Sequence, residues 1–184
     1  MRSLLSFLAM VAVTVAAMQM GGALHGFVDL SSIALLIGVT VAGTLTTFSF
    51  REFGSGIGKC FASGNELGRE EALLGARLFR RMSIMASGAG LMGALLGQLE
   101  FLHVLDDPTK LGPAMAVTLL SVFYAVMVGE LMFGSMATDC LSRGGLVGMA
   151  ECPKSYSNVR SFIGLTIGTI SIGQVVVLIS HLPQ

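Results

Sequence analysis

Three ionisable side chains stand inside long apolar runs, where a charge is costly and its presence asks for a reason. Glu100 and His103 lie three residues apart near the end of one run, and Glu130 lies well inside the next. Residues three apart share a helix face, so Glu100 and His103 are placed to bond one another and share a proton, or to sit wetted at a membrane surface. Glu130 is deeper. There it is either protonated, with desolvation opposing its charge, or paired with a basic side chain from a neighbouring loop; subunit packing and ion relay are both open to it. The three cysteines, Cys60, Cys140 and Cys152, are odd in number, match no zinc spacing and are read as inert or reducing-side thiols, with a metal or redox role the lesser alternative. No dinucleotide fingerprint, phosphate-binding loop or nucleophile elbow is present, and no bond-making enzyme is expected.

The elements that must position these residues are membrane helices. Of the 184 residues, 53% are hydrophobic and only 12% charged, and several runs approach the roughly 20 apolar residues that cross a bilayer. Net charge is zero and no basic patch interleaves with aromatics, so nucleic acid is not an expected partner. The fold class expected is an all-α integral membrane protein with about five spans, at 3–20, 31–50, 83–104, 113–135 and 160–181, making a single membrane domain over 1–184. Run 3–20 follows Arg2 and also has the form of a secretory signal peptide. Run 31–50 carries Thr40, Thr44, Thr46 and Thr47, read as interhelical packing or as pore lining.

Loops 51–82 and 139–159 are expected on the cytoplasmic side, because 51–82 holds most of the Lys and Arg. Within it, Glu66 to Arg81 is predicted as a short amphipathic helix with Leu67, Leu74 and Leu78 on one side. Its arginines would meet lipid phosphates, or its face would dock a cytoplasmic partner.

The centre of the chain is a glycine-rich hairpin. Gly90, Gly93 and Gly97 recur at near-helical intervals, Asp107-Pro108 starts a turn, and Gly112-Pro113 is predicted to open the next helix. With Met115-Ala116-Val117, Leu119-Leu120 and Phe123-Tyr124, this stretch resembles the third and fourth transmembrane helices of the MotA branch of the MotA/TolQ/ExbB ion-channel family. Phe27-Val28-Asp29-Leu30-Ser31-Ser32 and the run after it are similar to that family's second helix.

The resemblance implies a homo-oligomer, a pentamer, around two copies of a single-span MotB/TolR/ExbD-like partner whose aspartate carries the ion. It implies residence in the bacterial inner membrane, contact with lipid, and no cofactor besides the transported ion. The channel subunit would contribute ion-path positions that fall on Ala94 in the third helix and on Ser121 and Val122 in the fourth, of which only Ser121 keeps a hydroxyl. Thr118 and Gln98, each one turn away, would extend a polar track. Sodium needs several oxygen ligands whereas a proton needs one relay group, so this set favours protons over sodium.

Some features depart from the family. Ser87 and Ser135 stand where prolines are frequent, loop 51–82 is too short for the large cytoplasmic domain that contacts a flagellar rotor, and run 160–181 is additional. The reading is a channel or stator subunit of an ion-motive-force-driven motor. The alternatives are a TolQ/ExbB-like energiser of envelope transport, a non-energised oligomeric scaffold whose glycines serve oligomerisation, and a small solute transporter, against which the lack of an internal repeat counts.

Overall fold

The computed structural model describes residues 29–62, 67–104 and 108–146, with residues 8, 9, 11–13, 16 and 19 besides. Most of run 3–20, the Asp106-Asp107 turn, Glu66, Cys152 and the whole of run 160–181 lie outside the described residues. The described chain is entirely helical: α1 (Leu30–Leu45), α2 (Phe50–Ala62), α3 (Arg69–His103), α4 (Pro108–Ala125), a π-helical segment (Val126–Gly134) and α5 (Ser135–Arg143).

Asp29 starts α1. Its carboxylate accepts from the backbone N–H groups of Ser31 and Ser32 at 3.2 and 3.1 Å, satisfying donors that a first turn leaves without partners. The buried face of α1 is Ser32, Leu36, Thr40 and Thr44, at fourfold spacing, while Leu30 and Ile37 point outward. Hydroxyls inside and leucines outside is the pattern of a helix whose solvent is lipid. The helix ends at Leu45, short of the 50 expected from the apolar run, because Thr46 to Ser49 form a turn and α2 departs at 112°. Glu52 accepts the Ser49 N–H at 2.9 Å, half of a capping box that starts α2. Phe53, Ile57 and Cys60 face the core, and Arg51, Glu52 and Lys59 face away. Gly56 marks the crossing of α2 over α3, since a Cβ there would sit 3.1 Å from Leu78 Cδ2.

Helix α3 is continuous for 35 residues, about 50 Å at 1.5 Å per residue. The predicted amphipathic piece and the third span are therefore one rod. No proline interrupts it, and Glu70 and Glu71 suit its positive N-terminal end. Of the predicted apolar side, Leu67 and Leu78 are buried and Leu74 is half-buried, so this face packs inside the protein.

The fourth run also begins earlier than expected. Helix α4 starts at Pro108, and Pro113 lies inside it, so Pro108 occupies the first-turn position assigned above to Gly112-Pro113. The rod continues through the π segment into α5 and stops at Gly144-Gly145. Gly145 has φ 67°, Leu146 N–H donates to the Leu141 carbonyl at 3.0 Å and Gly145 N–H to that of Ser142 at 3.3 Å. This is a Schellman stop, and its apolar contact joins Leu146 to Leu141 over Leu67 and Ala72.

Among the described residues, α3 and Lys110–Arg143 are long and apolar enough to cross a membrane, and α1 with α2 would add one bent span. The core lies in the half of the bundle that carries α2 and α5, called the inner half, where Leu78, Phe79, Met82, Phe133 and Cys140 are buried and the Phe79 and Phe133 rings stack with centroids 6.4 Å apart.

Candidate functional site: the hairpin seam and its hydroxyls

Helices α3 and α4 approach so closely that three glycines are required by contact. A Cβ on Gly90 would strike the Ala125 methyl, one on Gly93 would lie 2.7 Å from Ser121 Oγ, and one on Gly97 would strike Thr118 Oγ1 and come within 2.9 Å of the Thr118 nitrogen. All three glycines are thus spent within the chain. They zip the hairpin, so this particular stripe is not free to bind another copy, whereas Gly88 meets nothing within 4 Å.

Ser121 and Thr118 are the α4 side of this zipper. Thr118 is buried on Gly97 and its hydroxyl donates to the Ala114 carbonyl at 3.3 Å. Ser121 is buried on Gly93, within 2.9 Å of both the Val117 carbonyl and Ser32 Oγ of α1. Ser32 Oγ donates in turn to Asp29 Oδ2 at 2.5 Å, and Ser31 Oγ to Asp29 Oδ1 at 2.6 Å. Since Ser32 gives its one proton to the carboxylate, Ser121 is the donor when the two hydroxyls bond each other. The result is a directed chain, Ser121 to Ser32 to Asp29. Tyr124 closes it from α4, its hydroxyl oxygen accepting the Asp29 N–H at 3.4 Å.

This contact also fixes the level of α1. Gly93, beneath Ser121, stands ten residues from the outer end of α3 at His103, or about 15 Å along the helix. The N-terminus of α1 therefore meets the hairpin below its outer end.

The other sequence-predicted positions are more scattered. Ala94 is buried, while Gln98 and Val122 are half-buried. Glu100 and His103 are both exposed on the last turn of α3. Glu130 is half-buried in the middle of the π segment, its carboxylate over Gly134. The hairpin thus brings Thr118 and Ser121 together with Gly93 and Gly97, and leaves Glu130 on a separate level.

The π segment was not foreseen. It faces α3 through Gly129, where a Cβ would lie 3.3 Å from the Ser83 carbonyl and 3.4 Å from Ser87 Oγ. At the return to α geometry, Ser135 Oγ lies 2.6 and 2.9 Å from the Leu131 and Met132 carbonyls. That hydroxyl satisfies acceptors displaced by the change of register, a local device available without the proline noted above.

Two further groupings escaped sequence reasoning. Asp29 and Ser32 were visible only as part of a family echo, with nothing in their spacing to name Ser121 as their partner. Cys60 and Cys140, read as inert or reducing-side thiols with no pairing assigned, bring their sulfurs within 2.8 Å.

No His, Cys, Asp and Glu grouping suited to a metal ion exists among the described residues. What the site offers is hydroxyl and carboxylate oxygen in a helical membrane protein, with a hairpin held together by backbone-to-side-chain contact.

No protein-family model matches the chain. Individual relatives do. It is 36% identical over 63 residues to "Chemotaxis protein PomA" of Vibrio alginolyticus, covering 34% of this chain and 25% of that protein. Over 65 residues it is 34% identical to "Motility protein A" of Borreliella burgdorferi (strain ATCC 35210 / DSM 4680 / CIP 102532 / B31), covering 35% and 25% respectively. An "Uncharacterized protein YtxD" of Bacillus subtilis (strain 168) is 35% identical over 63 residues, 34% of this chain and 23% of that one. These matches bear out the resemblance to the MotA family over about a third of the chain, which spans about a quarter of each relative's length.

Proposed function

We propose that this protein is a channel subunit of an ion-motive-force-driven motor in the bacterial inner membrane. In this reading several copies, five by resemblance, surround two copies of a single-span partner carrying one titrating aspartate. Ion passage between hairpin and partner then changes which subunit contacts are favourable, and each exchange advances one component against the other. The observation that carries the reading is the match to chemotaxis protein PomA and Motility protein A.

The chemistry of the seam favours protons over sodium. Ala94 and Val122 present no oxygen, and Ser121 is engaged with Ser32 and the Val117 carbonyl. A dehydrated sodium ion needs several oxygens at once, whereas the hydroxyl chain from Ser121 through Ser32 asks only for exchange of hydrogen-bonded protons.

The test is co-purification with the product of the neighbouring reading frame, followed by counting chains and measuring ion flux in vesicles. The expected particle is a ring of copies around foreign helices, with flux that follows the pH gradient, persists without sodium and drops with Ser121→Ala. A monomer, a bundle without a lumen, or flux indifferent to both Ser121→Ala and Glu130→Gln would overturn the reading.

A further inference from the structure

Where α2 and α5 meet over the inner half of α3, two thiols separated by 80 residues in sequence face one another. Cys60 Sγ and Cys140 Sγ are 2.8 Å apart. The space they occupy exists because residue 75 of α3 is glycine. A Cβ there would lie 2.5 Å from Cys60 Sγ and 3.3 Å from Cys140 Sγ, so α3 forms the floor of a two-sulfur niche.

The sulfurs are not equivalent. Cys60 is half-buried on the surface helix α2, and Cys140 is buried beneath it. Arg143 closes the side, its Nη1 donating to the Cys60 carbonyl oxygen at 3.4 Å and its Nη2 paired with Asp139 at 2.6 Å. A half-buried sulfur with a second, buried sulfur directly behind it is the arrangement of an attacking and a resolving thiol.

We propose that Cys60 and Cys140 are a modification site at which hydroperoxides form an intrachain disulfide, locking α2 onto α5. The Cys60 thiol sheds its proton and its sulfur attacks the terminal peroxide oxygen; an S–O bond forms, the O–O bond breaks, and the departing oxygen takes up the shed proton to leave as alcohol or water. Cys140 sulfur then attacks the sulfenic sulfur; the S–S bond forms, the S–O bond breaks, and the hydroxide leaves with the Cys140 proton as water. Two thiols and one hydroperoxide give one disulfide, one alcohol and one water, a two-electron exchange that a dithiol reductant reverses. The cross-link joins the end of α2, otherwise held by apolar packing, the Arg143 bond to the Cys60 carbonyl and the exposed Lys59–Glu71 pair, to the end of the membrane rod.

The experiment uses the full chain in lipid nanodiscs, in wild type and in Cys152→Ser. Hydrogen peroxide should yield one chain with Cys60 linked to Cys140, reversed by dithiothreitol. Amide exchange over 50–62 should slow on oxidation in wild type and stay unchanged in Cys140→Ser. In Cys140→Ser, dimedone should label Cys60 after peroxide; in Cys60→Ser, Cys140 should stay unlabelled. Gly75→Ala should slow disulfide formation several-fold, because its methyl occupies the Cys60 sulfur's place. Both thiols remaining alkylatable after peroxide, a link between two chains, pairing with Cys152 in wild type, or unaltered exchange in α2 would overturn the proposal.

Discussion

The two halves of the hairpin are held by different means. In the inner half, α1, α2 and α5 all press on α3, and the contact is made by large side chains, Leu78, Phe79, Met82 and Phe133. Around the outer half, the α3–α4 seam is made by glycines against Ala125, Ser121 and Thr118, while Leu95, Leu96, Leu99, Leu102 and Leu119 point outward. The inner half is largely a side-chain core, with close approaches admitted at Gly75 and Gly129, whereas the outer half is a backbone zipper throughout. In lipid, expelling leucine gains little, so close contact between helices needs small residues, and the leucines stay outside. The lesson is that the inner half tolerates exchange of one apolar residue for another of similar volume, and the outer half tolerates no added atom on the seam.

The largest effect expected is in the inner half. Phe79→Ala removes a side chain only 2% exposed and stacked on Phe133, and should cost about 3–5 kcal/mol, read as a fall in melting temperature in detergent. Phe79→Leu, keeping much of the volume, should cost far less.

Next is the zipper itself. Gly90→Ala drives a methyl into Ala125 and toward the Ser121 carbonyl, and should cost about 1–3 kcal/mol even though alanine is the better helix former. Gly88→Ala, two residues away with open space, should be neutral or slightly stabilising in the isolated subunit. Equal effects at the two positions would erase the distinction between the halves. A loss confined to assembly at Gly88 would mark that face as an interface.

A smaller effect belongs to the hydroxyl contact at the middle of the zipper. Ser121→Ala and Ser32→Ala should each cost about 0.5–1.5 kcal/mol, and the double substitution should cost less than their sum, because one bond is lost once. Additive costs would show that the two hydroxyls do not bond in the membrane.

The smallest lies on an exposed ion pair between α2 and α3. Lys59 hydrogen-bonds Glu71 at 2.8 Å and holds its carboxyl below the ordinary glutamate value. A folded-state value that is lowered adds stability above the ordinary value of 4.5 and loses it as pH falls through the folded one. The pair is exposed, so Glu71→Gln should leave the melting temperature nearly unchanged at neutral pH, with any difference shrinking further in acid or in salt.

Much of this protein is decided by local pattern. Hydropathy alone makes it a helical membrane protein. Gly90, Gly93 and Gly97 announce a close helix pair, and Asp107-Pro108 announces a break in the apolar runs, although the helix opens at Pro108 and not at Gly112-Pro113. These signals are readable because each acts within a turn or two of its own position. Which helix the glycines admit is another matter. Spacing says that a backbone approaches, and only the folded chain says that it is the chain's own α4. The same limit hid the pairing of Ser32 with Ser121 across 89 residues and of Cys60 with Cys140 across 80. Contacts so distant in sequence leave no periodicity, since they depend on the crossing of helices, and the crossing is settled by the packing of every side chain between them.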